Sequence, residues 1–427
     1  MPRRILTILF VLGLGILLVV PITAQEETTL VVASFYPVDQ TAGWDGLVAD
    51  FEAAHPGVKI EVQVTPGDEY LPRLLTQIAG GDAPDVVGVE NTPFPQFVDR
   101  GILADVTDLL ASSEGFTADD FFPHLLDRYT YDGRVYGIPY DAQPFAMLYY
   151  NPALFDAAGL DYPTNDWTWD DMLAAAEALT ITDDSGNVEQ YGINAGNRWD
   201  YFVYGAGGAM VDDLRNPTKS MLDAPEAVEG IQFMVDMMHE YNVYPAPQTL
   251  EALGGASRDF FLTGKTAMFI GGFWEAVFNP QGFADLGARI VMGPVKDTSN
   301  RVYPTGGTAY TILEASDNKE LAWEFITEFL GPAGYEVAYE SATLGSIYPP
   351  AHIPSYEWYL QQPIEFLDTI QPNQDALEFV RFSPFALDWP EIRARCIDPD
   401  MDLILRGEVP VQETLVSISE CVNSRLG

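Results

Sequence analysis

YDGRVYGIPYDAQPFAMLYYNPALFDAAGL, residues 131–160, is the stretch that decides the fold of this 427-residue chain. A polar turn, Asp132-Gly133, precedes a short apolar strand that stops at Pro139. An aromatic-rich extended run follows, and then a short helical pattern that Gly159 closes. This pattern is typical of a chain that crosses between two globular units with polar and aromatic side chains exposed. Because clefts between domains are preferred sites for small ligands, the stretch predicts a binding protein before it predicts an enzyme.

Composition predicts a globular protein with a sizeable core. The length suffices for two or three domains, and 47% of the residues are hydrophobic and 12% aromatic. The chain carries 63 acidic and 21 basic side chains, for a formal net charge of -42. A nucleic-acid partner is excluded because a phosphate backbone requires the opposite sign. The acidic excess has two interpretations, which are solubility and a cationic ligand.

The N-terminus has the features of an export signal. Arg3 and Arg4 precede the apolar run 5–20, so residues 1–24 are predicted to be a signal peptide. The alternative is an uncleaved membrane anchor, because Ile22 is larger than the residue that cleavage prefers, although the run is shorter than the ~20 residues of a span. No cysteine lies nearby, so no lipid anchor is expected. The expected location is periplasmic or extracellular.

The chain has two cysteines, Cys396 and Cys421. A turn signal at 407–410 lies midway between them, with apolar periodicity on both sides. Positions equidistant from the turn of a helical hairpin face each other, and disulfides persist outside the cytoplasm. We therefore predict a disulfide, which the loop-entropy model credits with ~3 kcal/mol. The alternative is a pair of buried free thiols.

Strand and helix patterns alternate after the signal segment. The apolar run 29–35, the helical period of 43–54, the alternating run 58–64, the helical period of 71–78 and the run 85–89 follow one another. This βαβα order predicts a parallel sheet with helices on both faces. Further helices are predicted to begin near three residues and to fill two C-terminal ranges: Thr168, Pro225 and Ser316, then 389–406 and 411–424.

No proline- or serine-rich linker divides the chain. Two globular units without a linker indicate that the chain crosses between them more than once, which is a hinge arrangement.

Five stretches, taken together and in this order, resemble the extracellular solute-binding proteins of ABC importers, in the maltose-binding-like group that mostly binds sugars. They are FEAAHPGVKIEVQV (51–64); LLTQIAGGDAPDVV (74–87) continuing to GILADV (101–106); residues 131–160 with Thr168-Trp169-Asp170-Asp171 after them; FLTGKTAMFIGGFW (261–274); and residues 318–331, with Gly345 and Pro349-Pro350 downstream. The chain departs from the family in its missing lipid-anchor cysteine and its long C-terminal region.

The resemblance implies an α/β fold of the periplasmic-binding-protein-like kind, with two lobes, hinge crossings and an extended helical C-terminus. The crossings are expected near 141–145, 292–295 and 341–350. The first lobe is expected to comprise 28–142 plus 294–343, and the second 146–291 plus 350–427. A ligand would lie between the lobes, and closure would bury it.

Candidate ligand contacts follow from the chemistry of a sugar, which presents flat C–H faces and a ring of hydroxyls. Aromatic side chains suit the faces, and carboxylates and amides suit the hydroxyls. Residues of these types at strand ends and crossings, together with one glycine that brings backbone close to a ligand, are Tyr36, Glu90, Asn91, Asp141, Trp199, Trp274, Gly306 and Tyr348. The resemblance adds Trp389, which begins a helix at a position where the family often places a stacking aromatic.

Several of these positions have structural alternatives. Glu90 and Asp141 are also suited to hydrogen bonding within the hinge. Gly271-Gly272 is expected to let a ligand approach the backbone beside Trp274. The remaining tryptophans with core or helix-end patterns are left out of the site: Trp44, Trp167, Trp169 and Trp323.

Catalysis and metal binding have little support in the sequence. The chain contains no G-x-S-x-G, H-E-x-x-H or C-x-x-C motif, and its four histidines are far apart. No metal site and no cofactor are therefore predicted. Paired carboxylates of the glycosidase kind stay an alternative, because 63 acidic residues guarantee chance pairs.

The sequence therefore predicts an exported, monomeric solute-binding protein that is not an enzyme. It is expected to capture a mono- or oligosaccharide by hinge closure and to deliver it to the permease subunits of an ABC transporter in the membrane. The alternatives are a binding protein for a polyamine or another cationic solute, and a secreted glycoside hydrolase.

Overall fold

The structure is a computed structural model that describes residues 27–35, 42–65, 67–254 and 256–426. The predicted signal segment 1–24 and the candidate Tyr36 lie outside the described residues. In the described part of the chain, no helix is long and apolar enough to cross a membrane.

Strands occur along most of the described chain. Their bounds are β1 Thr28–Ser34, β2 Val58–Val64, β3 Val86–Glu90, β4 Thr130–Tyr131, β5 Arg134–Val135, β6 Ile138–Pro139, β7 Gln143–Pro144, β8 Met147–Tyr150, β9 Ile181–Thr182, β10 Val188–Asn194, β11 Thr266–Gly271, β12 Arg289–Met292, β13 Tyr303–Gly306, β14 Thr308–Ile312 and β15 Val380–Arg381.

Helices lie between the strands and make up most of the C-terminal region. Their bounds are α1 Ala42–Ala54, α2 Tyr70–Gly80, α3 Phe94–Asp99, α4 Thr107–Ser112, α5 Pro123–Arg128, α6 Pro152–Ala158, α7 Trp169–Leu179, α8 Trp199–Gly205, α9 Pro225–His239, α10 Pro247–Leu253, α11 Ser257–Leu262, α12 Trp274–Phe278, α13 Pro280–Leu286, α14 Lys319–Leu330, α15 Pro332–Ser341, α16 Ile353–Tyr359, α17 Gln371–Ala376, α18 Trp389–Ile392, α19 Asp398–Leu405 and α20 Val411–Leu426.

The first lobe is built on a five-stranded sheet in the order β2-β1-β3-β14-β6. The predicted βαβα unit is present, and β1 runs parallel to both β2 and β3. The prediction of a parallel sheet is wrong for the other half, because β14 pairs antiparallel with β3 and β6. Strand β14 comes back from the second lobe and therefore enters the sheet in the opposite direction. Trp44, Leu47 and Phe51 of α1 are buried, as their helical spacing predicts.

The second lobe is built on a sheet in the order β12-β8-β11-β10-β9. Strands β10 and β11 are parallel, while β8 is antiparallel to β11 and β12. The aromatic run Tyr149-Tyr150 of β8 is buried in this sheet. Gly192 of β10 is required for packing, because a Cβ there would overlap backbone atoms of Ala176 in α7.

A small sheet in the order β15-β13-β7 joins the lobes. The first crossing passes from β6 of the first lobe through β7 to β8 of the second. The second crossing returns from β12 through β13 to β14. Because Gly306 of β13 pairs with Gln143 of β7, the two crossings lie side by side. A bridge between Asp141 and Pro350 brings the third crossing to the same place.

The second crossing lies later in the chain than residues 292–295. Trp169 N donates to Val295 O at 3.2 Å, and Lys296 N donates to Gly205 O at 3.0 Å. The segment after Met292 therefore still packs on the second lobe, and β13 makes the crossing. The lobe boundaries drawn from the sequence stay predictions. Ala351 lies in the range predicted for the second lobe, but it packs in the core of the first.

The C-terminal helices pack mainly on the second lobe. Cys396 and Cys421 form a disulfide with a Cα–Cα distance of 5.6 Å, as the hairpin spacing predicts.

The helix starts at two further positions can be compared with the sequence. Thr168 forms a capping box at the start of α7. Asn318, rather than the predicted Ser316, is the residue directly before α14. The Ser316 hydroxyl accepts from Asn318 N at 3.0 Å and so belongs to the turn that leads into the helix.

Candidate functional site

A chain of hydrogen bonds connects the two lobes through the first crossing. Thr308 N, at the start of β14, donates to Asp141 Oδ1 at 2.8 Å. Gln143 Nε2 donates to the other carboxylate oxygen of Asp141. Gln143 Oε1 in turn accepts from Trp274 N at 3.0 Å, at the first residue of α12 in the second lobe. A single crossing segment therefore joins the end of a first-lobe strand to the start of a second-lobe helix.

Asp141 is 4% exposed, and burial raises its pKa to about 6, although the hydrogen bonds from Thr308 and Gln143 oppose this shift. Both carboxylate oxygens are occupied by protein donors. Of the two roles predicted for Asp141, this geometry favours the hinge hydrogen-bond partner over the direct ligand contact.

Two aromatic rings and a guanidinium group meet beside this hydrogen-bond chain. The rings of Phe145 and Trp274 are 4.5 Å apart in an edge-to-face arrangement. The Cζ atom of Arg198 lies 4.8 Å from the Phe145 ring centre and 5.1 Å from that of Trp274. We call Phe145, Trp274 and Arg198 the aromatic–arginine cluster. Phe145 and Trp274 are each partly exposed, so the cluster is accessible to solvent.

Arg198 has unused hydrogen-bonding capacity. Among the described residues its guanidinium makes an ion pair with Asp200 at 3.8 Å and no hydrogen bond. A guanidinium carries five N–H donors. The cluster therefore combines an aromatic surface with donors that a ligand's oxygen atoms can accept.

The glycines near the cluster make room for the protein's own rings. A Cβ on Gly272 would overlap the Trp274 ring, and a Cβ on Gly306 would overlap the Phe145 ring. Gly272 and Gly306 were expected to bring backbone close to a ligand. In the structure the aromatic side chains fill that space, so the two glycines position the rings.

Asn91 lies at the first-lobe side of the same region and is 5% exposed. Its backbone N donates to Gly307 O at 3.0 Å, and its backbone O accepts from Arg128. Glu90, at the end of β3, is exposed. Together with Phe35, Glu90 lines a cavity of about 420 Å³ at the carboxyl ends of the first-lobe strands.

The second lobe has a matching cavity of about 320 Å³ at the ends of β10 and β11. Arg198, Trp199 and Glu275 line it. Burial raises the pKa of Glu275, while Arg258, 3.3 Å away, and Arg198 oppose the shift. The two cavities place polar and aromatic side chains on both lobes at strand ends, where α/β folds bind ligands.

Three predicted contacts are buried in this structure. Trp199 is 2% exposed and lies under Arg393, and Tyr348 is 4% exposed beside Tyr140. Trp389 has no exposed surface and packs in the second-lobe core, so its ring is not accessible to a ligand in this conformation. Tyr348 also lines an interlobe cavity of about 130 Å³.

The structure brings Asn91, Asp141, Trp274 and Gly306 together around the first crossing. Sequence reasoning missed Gln143, Phe145 and Arg198. Phe145 and Gln143 stand in the crossing stretch that was singled out, so the signal for them was their position. Arg198 had no comparable signal beyond its place next to Trp199. Within the described residues, no group of three or more His, Cys, Asp or Glu side chains could hold a metal ion.

Two lobes joined by a small sheet, with polar and aromatic groups at the strand ends of each lobe, are typical of two-lobed ligand-binding proteins. Residues 37–336 match the family described as bacterial extracellular solute-binding protein. This match covers more than half of the chain, so the chain belongs to that family, which is one of binding proteins rather than enzymes.

Curated relatives of known ligand are similar over about two thirds of the chain. The diacetylchitobiose binding protein DasA of Streptomyces coelicolor is 27% identical over 289 residues, which span 66% of this chain and 64% of that protein. An arabinooligosaccharide-binding protein of Halalkalibacterium halodurans is 25% identical over 63% of this chain and 59% of its own length. The alignments thus span less than two thirds of both relatives.

A solved structure resembles the fold over nearly the whole chain. It is an ABC substrate-binding protein of Listeria monocytogenes in complex with cycloalternan. The TM-score is 0.80 at 25% identity, and the superposition covers 94% of this chain and 100% of the Listeria protein. The two-lobed fold predicted from the sequence is therefore confirmed.

Proposed function

We propose that this protein captures a mono- or oligosaccharide between its lobes by hinge closure and delivers it to the permease of an ABC importer. The observation that carries the proposal is the aromatic–arginine cluster at the first crossing. Rings of Phe145 and Trp274 suit the C–H faces of a sugar, and the unused donors of Arg198 suit its hydroxyls. Sugar ligands named for two relatives and for the Listeria structure support it.

Hinge closure is supported by the shape of the hydrogen-bond chain through Asp141 and Gln143. The chain ends on Thr308 in one lobe and on Trp274 in the other. A ligand that contacts both lobes binds the closed arrangement better than the open one and shifts the population toward it. We propose that the permease binds this closed form.

The cationic-ligand alternative is weakened by Arg198. A polyamine would bring its ammonium groups to the same aromatic rings. The positively charged guanidinium of Arg198 lies 4.8 Å from the Phe145 ring centre and 5.1 Å from that of Trp274. A second cation there would be repelled by the first.

The glycosidase alternative is weakened by the contacts of two carboxylates near the cluster. Asp141 is buried with both oxygens hydrogen-bonded, and Glu275 is paired with Arg258. We therefore expect binding without turnover.

The test is a thermal-shift screen of the purified protein against mono- and oligosaccharides, with polyamines as the second class. A bound ligand raises the melting temperature, by an amount that grows with its concentration relative to Kd. We expect a shift with at least one saccharide and none with polyamines. Absence of a shift with every sugar would overturn the proposal, and release of a chromogenic leaving group from a glycoside would replace it with hydrolysis.

A further inference from the structure

The segment 382–388, which we call the strap, contacts both lobes. It runs from the small interlobe sheet, after β15, to Trp389 in the core of the second lobe. Phe385 N donates to Leu214 O at 2.6 Å, in the loop between α8 and α9 of the second lobe. The strap also reaches the first lobe, where Gln96 Nε2 in α3 donates to Leu387 O at 2.6 Å.

Phe385 is held between two arginines from different lobes. Arg128 of α5 in the first lobe has its Cζ atom 4.8 Å from the ring centre, and Arg215 of the second lobe has its Cζ atom at 4.9 Å. The ring also stacks on Tyr131 with centres 5.6 Å apart. Phe385 is only 7% exposed. Cation–π contacts of this kind strengthen when the groups are removed from water.

Arg215 makes a second connection between the lobes. Its guanidinium donates to Thr130 O at 2.9 Å and forms an ion pair with the Asp127 carboxylate at 2.6 Å. The strap and Arg215 thus join the two lobes directly.

This junction is adjacent to the proposed sugar site. Arg128, which packs on Phe385, also donates to the backbone O of Asn91. The side-chain nitrogen of Asn91 lies 3.1 Å from where a Cβ of Gly306 would be, and the Phe145 ring fills the same space. Asn91 therefore lies next to the aromatic–arginine cluster, and Arg128 and Phe385 lie beyond Asn91. These two side chains occupy the space between the lobes there.

We propose that the strap and Arg215 form an end wall of the cleft, and that this wall limits the length of the saccharide that fits. The proposal rests on the proposed function of sugar binding. A chain that extends from the cluster toward Asn91 would meet the Phe385 ring and the paired guanidinium groups. Longer saccharides would have to separate Phe385 from Arg215, and binding would lose those contacts.

The experiment is isothermal titration calorimetry with malto-, cello- and chito-oligosaccharide series, each from the monosaccharide to the hexasaccharide. The proteins are wild type, Phe385→Ala and Arg215→Ala. Loss of the buried Phe385 ring can affect folding, so Arg215→Ala, at a partly exposed side chain, gives a second test of the wall that does not depend on the first. The matched control is Arg425→Ala, because Arg425 in α20 is an arginine of similar exposure that pairs with Glu391 and lies outside the strap. Melting curves establish that each variant is folded.

We expect wild type and Arg425→Ala to bind short members and to lose about tenfold or more in affinity beyond one length, a loss of about 1.4 kcal/mol. Both wall variants should bind the longer members about tenfold tighter than wild type and the short ones equally. If the folded wall variants show the same dependence of affinity on saccharide length as wild type, the proposal of an end wall is overturned, while the proposal of sugar binding stands. If no saccharide binds wild type, the proposed function fails and the wall fails with it.

Discussion

At the scale of single residues, the geometry of the site depends on the order of hydrogen-bond donors and acceptors along the first crossing. Asp141 accepts from Thr308 on one side and from Gln143 on the other, which leaves Gln143 Oε1 to accept from Trp274. Asparagine at position 141 would present an N–H₂ group toward the donor of Gln143. Either that contact breaks or the Gln143 amide turns over and loses Trp274 N.

Asp141 should make stability depend on pH in a defined direction. Its folded pKa of about 6 lies above the ordinary value of 3.8, so the folded state holds the proton between these values. The stability contributed by this carboxyl group is fully present below about pH 4 and falls as pH rises through about 6. Two pKa units correspond to about 3 kcal/mol.

The measurement is urea unfolding of wild type and Asp141→Asn at intervals between pH 4 and 7. Other acidic groups affect both proteins alike, so the difference in unfolding free energy isolates Asp141. We expect wild type to lose about 2–3 kcal/mol relative to the variant across this range. A difference that is constant, or that grows with pH, would contradict the pKa assigned here.

Trp274 should contribute directly to ligand affinity. Removal of its ring takes away the stacking surface, so Trp274→Ala should weaken saccharide binding by about 1 kcal/mol or more, which is about fivefold in Kd. Trp358→Ala is the control, because Trp358 is a partly buried tryptophan in α16 that packs on Tyr339. Equal affinities of the two variants by calorimetry would remove Trp274 from the site.

At the scale of elements, the sequence predicted strands and helices well where the pattern is local. The helical spacing of α1 and the alternation of β2 follow directly from burial of one face. The antiparallel entry of β14 was not predictable in this way, because its partner β3 lies more than two hundred residues earlier in the chain. Similarly, Trp389 was correctly placed at the start of a helix, but its orientation into the core depends on packing that no local pattern records.

The candidate site was predictable only as a region. The sequence named Asp141 because it stands in the crossing stretch, and Trp274 because it follows a strand end. The sequence did not name Arg198, since its place in the cluster depends on its distance to Phe145 and Trp274, which are remote in sequence. Residues that only folding brings together show no characteristic spacing in the sequence.

The C-terminal disulfide should stabilise the helical hairpin that carries it. Cys396 and Cys421 are separated by 25 residues, and closing a loop of this length is worth ~3 kcal/mol in the chain-entropy model. The variant with both cysteines replaced by serine should lose about this amount in urea unfolding. Wild type in reducing agent should match the variant, and the variant should not respond to reductant. Identical stability of oxidised and reduced wild type would contradict this prediction.

At the scale of the whole molecule, the dominant electrostatic feature is the excess of acidic side chains. A formal net charge of -42 in 427 residues means that like charges face each other over much of the surface. Such self-repulsion keeps a protein soluble and opposes its compact state. Most ion pairs in the described residues involve at least one well-exposed partner and contribute little to stability.

Salt should therefore stabilise this protein. The screening length falls from about 30 Å at 0.01 M to about 10 Å at 0.1 M ionic strength, which weakens long-range repulsion. We expect the melting temperature, measured by calorimetry, to rise over this range and to rise equally in sodium and potassium chloride. A melting temperature that falls with added salt would indicate that attractive pairs outweigh the acidic excess.

The position of Trp274 has an optical consequence. Its indole ring contacts Phe145 of the first crossing and Arg198 of the second lobe, so it lies where the lobes would separate. Indole emission responds to nearby charge and to contact with water, and a ligand bound against the ring and the Arg198 guanidinium would change both. The protein thus carries a native fluorophore at the point of closure, and its emission would report ligand capture without an attached dye.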